Sequence, residues 1–456
     1  MHSSTRLAYL PVYARRPWPS LCHGHGPIKS AAPRRPFHPF KALCSLPRPP
    51  AHLRAQRQRR SEHTPPSIPP PPPPPPASSL AYTAARVTMA RTSSSPTATR
   101  LPLLLVLLSS LALQAAAQKY NAVYSFGDSI TDTGNLCTNG RPSAITFTQP
   151  PYGETYFGSP TCRCSDGRVI VDFLSTKYGL PFLPPSKSTS ADFKKGANMA
   201  ITGATAMDAP FFRSLGLSDK IWNNGPISFQ LQWFQTITSS VCGSSCKSYL
   251  ANSLFIFGEF GGNDYNAMLF GNYNTDQAST YAPQIVDTIG AGVEKLVAMG
   301  AVDVVVPGVL PIGCFPIYLT IYGTSSAADY DALGCLKKFN DLSTYHNSLL
   351  QAKVSALQAK YKSARIMYAD FYAGVYDMVR SPSKYGFSSV FEACCGSGGG
   401  KYNYANSARC GMSGASACAS PASHLSWDGI HLTEAAYKQI TDGWLNGAFC
   451  HPGITH

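Results

Sequence analysis

The run Phe126 to Asn135, FGDSITDTGN, places Ser129 in a Gly-Asp-Ser turn directly after the apolar stretch Asn121 to Ser125. Far downstream the chain reads WDGIHLTE, Trp427 to Glu434. A serine hydroxyl becomes a nucleophile near neutral pH only beside a general base, and the base needs a partner that fixes its orientation. Beyond Gln118 the histidines are His346, His424, His431, His451 and His456. His451 and His456 sit in the tail, His346 falls on the apolar stripe of a helical pattern, and His424 has no carboxylate close in sequence. Only His431 does, in Asp428-Gly429-Ile430-His431. A turn of that length brings a carboxylate to the imidazole Nδ1 while Nε2 faces the serine. The plainer alternative is a loop before a helix, with Asp428 as its cap.

Acyl transfer also needs donors for the developing oxyanion. The backbone N–H of Ser129 is one candidate. Gly203, in NMAITGATA (Asn198 to Ala206), lets its N–H approach a substrate without a Cβ in the way. Asn263, in GEFGGNDYN (Gly258 to Asn266), offers a side-chain amide. Taken singly, Gly203 also reads as a tight turn and Asn263-Asp264 as a polar loop. Asp128 and Asp132 read as residues that shape the serine turn.

The elements that must position these groups alternate between short apolar runs and helical patterns. Ala122 to Phe126, Gly196 to Ile201, Ser253 to Phe257, Asp303 to Val306 and Arg365 to Tyr368 read as strands. Arg168 to Tyr178, Ile227 to Thr238, Tyr281 to Met299, the stripe from Leu336 to Tyr361, and Leu432 to Leu445 have helical spacing. This order predicts an α/β fold, a central parallel sheet with helices on both faces. In such sheets sites form beyond the carboxyl ends of the strands. Ser129 follows the first strand, Gly203 the second and Asn263 the third, so all three are expected on one edge.

The segments GDSITDTGN, NMAITGATA, GGNDYN and WDGIHLTE, in this order, resemble the ordered blocks of the GDSL esterase/lipase family, the SGNH hydrolases. The PIGCFP segment, Pro311 to Pro316, is similar to one found in the plant branch. The resemblance runs from about Tyr120 to Ala448 and departs only mildly, with Ile130 where the family name expects leucine. It implies a three-layer α/β/α sandwich of flavodoxin-like type. It also implies Ser129 as nucleophile, His431 as base, Asp428 as its orienting partner, and Ser129, Gly203 and Asn263 as oxyanion donors. The implied reaction is hydrolysis of a carboxylic ester through an acyl-enzyme, with no metal or organic cofactor.

Composition narrows the rest. The formal charge of +14 lies in the leader: before Gln118 there are 15 Lys/Arg and one acidic residue, Glu62, and from Gln118 onward 23 of each sign. The body has no electrostatic reason to bind nucleic acid. Met89 opens a positive stretch with Arg91 and Arg100, an apolar core from Leu101 to Leu113, and the small residues Ala115 to Ala117. That is the layout of a secretory signal peptide, with cleavage expected after Ala117 and no stable membrane span. Residues 1–88, rich in Arg and Pro with eight prolines from Pro69 to Pro76, are expected to be a disordered upstream extension of the gene model. A transit peptide is the alternative. Residues 118–456 are expected to form a single hydrolase domain.

The body holds 12 of the 14 cysteines, and behind a secretion signal they are expected in disulfides rather than on zinc. It contains no Asn-x-Ser/Thr sequon. The expected substrate is a small-molecule or polysaccharide ester, a short acyl group on a carbohydrate or phenolic alcohol. The expected location is the extracellular space or apoplast, with the vacuole as alternative. Two rival readings are an acyltransferase using the same serine and a non-catalytic carbohydrate-binding protein.

Overall fold

The computed structural model describes residues 119–455 apart from 139, 141, 142, 144, 223 and 224. The leader 1–88 and the signal segment 89–117 lie outside the described residues. Five strands form the body of one sheet: β1 (Ala122–Phe126), β2 (Gly196–Asn198), β3 (Ser253–Phe257), β4 (Asp303–Pro307) and β5 (Arg365–Ala369). All five are parallel. An edge strand not foreseen from sequence, β6 (Cys450–His451), adds antiparallel to β5 and gives the order β6-β5-β4-β3-β1-β2.

β1 (AVYSF) and β3 (SLFIF) are buried at every position, as strands covered on both faces must be. They pair in register from Ala122 with Ser253 to Phe126 with Phe257. Helices α1 (Ile170–Lys177), α2 (Ile227–Val241), α3 (Gly262–Leu269), α4 (Ala282–Met299), α5 (Lys337–Lys360), α6 (Phe371–Arg380) and α7 (Glu434–Asn446) flank the sheet. Helices α2, α4 and α5 pack in one group, and α1, α6 and α7 in another. The apolar stripe of α5 is buried at Leu342, Leu350, Val354 and Leu357, and His346 is buried with it. His346 Nδ1 lies 2.8 Å from Tyr265 Oη, and burial holds its imidazole down at about 3, so it is a packed residue.

Among the described residues ten cysteines pair as Cys137–Cys162, Cys242–Cys246, Cys314–Cys335, Cys394–Cys418 and Cys395–Cys410. Cys164 and Cys450 stay as buried thiols. No helix among the described residues is long and apolar enough to cross a membrane.

Candidate active site

β1 ends at Phe126 and the chain turns at Gly127, whose φ of +143° suits glycine; a Cβ there would meet Gly258 O at 2.9 Å. The buried Gln230 side chain of α2 holds the turn from behind. It accepts from Gly127 N–H at 2.9 Å and donates to the carbonyls of Gly127 at 2.7 Å and Gly225 at 2.9 Å. Asp128 Oδ1 accepts from Ile130 N–H at 2.9 Å, and Asp132 N–H donates to Asp128 O at 2.9 Å. A single helical turn therefore follows the strand, with Ser129 at its start.

Facing this turn, Asp428 does not cap the closing helix. Thr433 does, accepting from Ala436 N–H at 3.3 Å. Asp428 turns inward instead. Its Oδ1 accepts from the N–H groups of Ile430 at 3.0 Å and His431 at 2.8 Å. Its Oδ2 lies 2.6 Å from His431 Nδ1 and accepts from Tyr152 Oη at 2.7 Å. Burial pushes this carboxyl up, but the charge of His431, the ring and backbone N–H donors and Tyr152 outweigh it and hold Asp428 at about 2. His431 Nε2 lies 2.9 Å from Ser129 Oγ. Serine, imidazole and carboxylate thus form one hydrogen-bonded line, all three buried.

The chain beyond β2 continues alongside this turn, with Met199 N–H donating to Ser125 O at 2.7 Å and Ile201 N–H to Gly127 O at 3.3 Å. That pairing carries Gly203 to the same edge, in a left-handed conformation with φ +81°. The N–H groups of Ser129 and Gly203 donate to no acceptor among the described residues. Asn263, at the start of α3, reaches the edge too. Its amide is engaged, donating to Asp128 Oδ2 at 2.6 Å and Ala204 O at 3.0 Å.

Several residues that build this site carry no signal in the local sequence. Asp264 is fully buried and accepts from Ala206 N–H at 2.8 Å and Met207 N–H at 2.9 Å, tying α3 to the loop that begins at Gly203. Burial pushes Asp264 up to about 7, against the pull of those two N–H groups. It does the same to Asp128, against the Ile130 N–H and His431. Glu259, buried near both, is raised well above the usual carboxylate range by burial and by the charges of Asp128 and Asp264. Asp132 shapes the turn as expected, accepting from Gly134 and Asn135 N–H at 2.8 and 2.7 Å, and from Thr202 N–H at 2.9 Å.

Three aromatic side chains of the site also carry no local sequence signal. Tyr152 supports Asp428. The Phe147 ring stands edge-on to the His431 imidazole, centroids 5.2 Å apart at 89°. The Trp222 indole lies over Gly203, where an added Cβ would meet it at 3.2 Å.

A serine, an imidazole and a carboxylate in line at the carboxyl edge of a parallel sheet, beside backbone N–H groups without an acceptor among the described residues, define the class of serine hydrolases. The model of the GDSL-like Lipase/Acylhydrolase family matches residues 123–444. Over 343 residues the chain is 41% identical to a GDSL esterase/lipase of Arabidopsis thaliana, covering 73% of this chain and 92% of that one. It is 39% identical over 350 residues to a sinapine esterase of Brassica napus, covering 75% of this chain and 89% of the relative. The chain belongs to the GDSL esterase/lipase family and is a serine carboxylic ester hydrolase.

Proposed function

We propose that the protein is a secreted esterase that removes a short acyl group from a polar carbohydrate or phenolic ester, with Ser129 as nucleophile, His431 as base and Asp428 as orienting carboxylate. The observation that carries this reading is the continuous line from Asp428 Oδ2 through His431 to Ser129 Oγ, with spacings of 2.6 and 2.9 Å. Ser129 Oγ attacks the ester carbonyl carbon while its proton passes to His431 Nε2. Asp428, ionised and tied to four donors, fixes the ring and stabilises the imidazolium. The tetrahedral oxyanion is held by the N–H groups of Ser129 and Gly203. Asn263 is the third donor once one of its N–H groups turns from its present acceptor. The C–O bond to the alcohol breaks as His431 returns the proton to that oxygen. Water, deprotonated by the same nitrogen, then attacks the acyl-enzyme and releases the acid.

The signal-peptide pattern before Gln118 and five disulfides support secretion, with 118–456 as one hydrolase domain. The charge balance of the body supports a small ester over a polyanion as partner. A sinapine esterase among the relatives is in keeping with a carboxylic ester as substrate. The test is release of a chromophore from a short-chain acyl ester, comparing wild type with Ser129→Ala. Loss of at least about 10³-fold in kcat is expected. A folded Ser129→Ala variant with undiminished turnover would refute the relay.

A further inference from the structure

Trp222 is 44% exposed, one of four large apolar side chains so exposed among the described residues, and the one that lies against a residue of the oxyanion loop. An indole left in water beside a reactive site forgoes the burial that normally places tryptophan. Here it lies against Gly203, 3.2 Å from where a Cβ on that residue would stand. Phe147 continues the same surface: its ring centroid is 6.2 Å from that of Trp222, with the planes inclined at 36°. Phe147 then meets His431 edge-on at 5.2 Å. An aromatic wall therefore runs from the oxyanion loop to the imidazole that returns a proton to the departing alcohol.

The direction of that wall decides which part of the ester it meets. The leaving oxygen must come within reach of His431 Nε2, and Phe147 packs against that same imidazole, which sets the wall beside the group that receives the proton. The chemistry of the wall decides what it prefers. Stacking a sugar on an aromatic face is usually joined by hydrogen bonds to its hydroxyls, whereas the two polar side chains packed against Phe147 are committed to the relay. Tyr152, whose ring is 5.8 Å from Phe147, gives its hydroxyl to Asp428, and His431 is engaged by Asp428 and Ser129. We propose that Trp222 and Phe147 form an aromatic subsite that seats a flat aromatic ring carried by the alcohol part of the ester. This rests on the function proposed above and selects the phenolic over the carbohydrate class within it.

The test uses a matched pair, benzyl acetate and cyclohexylmethyl acetate, whose leaving alcohols are alike in size and differ in aromaticity. The wild-type enzyme should favour the benzyl ester in kcat/KM by about threefold to tenfold, the range of a single aromatic pair. Trp222→Leu should bring the ratio close to one, and Trp222→Phe should keep most of it. Phe147→Leu provides a second reading should Trp222→Leu melt far below wild type. The same two esters titrated into Ser129→Ala report ring binding without turnover, so failure of the serine relay and failure of the subsite are separable. A ratio near one in wild type overturns the proposal. So does a ratio that survives Trp222→Leu, or a preference for an acetylated glycoside that Trp222→Leu abolishes.

Discussion

Replacing Asp264 by asparagine tests whether the oxyanion loop is held by α3. The carboxylate accepts one N–H on each oxygen, from Met207 at 2.9 Å and Ala206 at 2.8 Å, in a fully buried position. Asparagine keeps the shape but has one acceptor, so one of the two N–H groups loses its partner and faces an NH₂. Leaving a buried donor unsatisfied costs about 1–3 kcal/mol. Asp264→Ala strands both and costs roughly twice as much, a large share of a typical folding free energy of about 5–15 kcal/mol. The asparagine variant should therefore fold, melting a few degrees lower, while the alanine variant is marginal. The loop so released begins at Gly203, and a misplaced oxyanion donor lowers kcat by up to about 10²–10³ with little change in KM. Steady-state kinetics with thermal unfolding followed by circular dichroism separate the two effects. Wild-type kcat and melting temperature in Asp264→Asn would show that the carboxylate does not position the loop.

Three further outcomes follow from the same geometry. In Gly203→Ala the new Cβ meets the Trp222 ring at 3.2 Å on a backbone at φ +81°, so kcat should fall at least about tenfold while stability falls by roughly 1–2 kcal/mol; unchanged turnover removes the Gly203 N–H from the reaction. Asp128 and Asp264 ionise near 7 when folded and about 4 when unfolded, so their stabilising contribution is full below about 4 and is lost as pH rises to 7. His346, held at about 3, opposes them below about 6.5, and Asp428, at about 2, weakens the fold only in stronger acid. The two aspartates outweigh the one histidine, so the protein should melt a few degrees higher at pH 5 than at pH 8 in matched salt, and the reverse order would contradict the burial argument. Cys394 and Cys395 donate from their backbones to Ser426 O at 3.0 Å and Trp427 O at 2.6 Å, directly before the Asp428 loop. Reducing their disulfides, which close loops of 24 and 15 residues, should remove about 3 kcal/mol each and lower activity along with the melting temperature.

Much of this protein is written locally. A five-residue apolar run such as Ser253 to Phe257 has one good use, a strand buried on both faces, and the long stripe from Leu336 to Tyr361 repeats with the pitch of a helix. Ser129 in its turn and Asp428 three positions before His431 are legible for the same reason, since neighbouring positions along the chain set their mutual geometry. The order of the strands places Ser129, Gly203 and Asn263 on one edge before any coordinate is known.

What sequence could not supply is every contact between residues far apart in the chain. Tyr152 reaches Asp428 across 276 positions, and Gln230 reaches Gly127 across 103. Neither has a motif, because a buried tyrosine or glutamine finds its partner only when packed layers bring it there. The cysteines show the same limit: Cys394 and Cys395 are neighbours but pair with Cys418 and Cys410, and Cys164 beside Cys162 forms no disulfide among the described residues, its thiol lying 3.6 Å from Thr202 Oγ1 instead. The occupied amide of Asn263 and the placing of Trp222 over Gly203 were decided in the same way. Local energies choose elements and turns, but the few ångströms that make a site are set by how a sheet and its helices close around a common core.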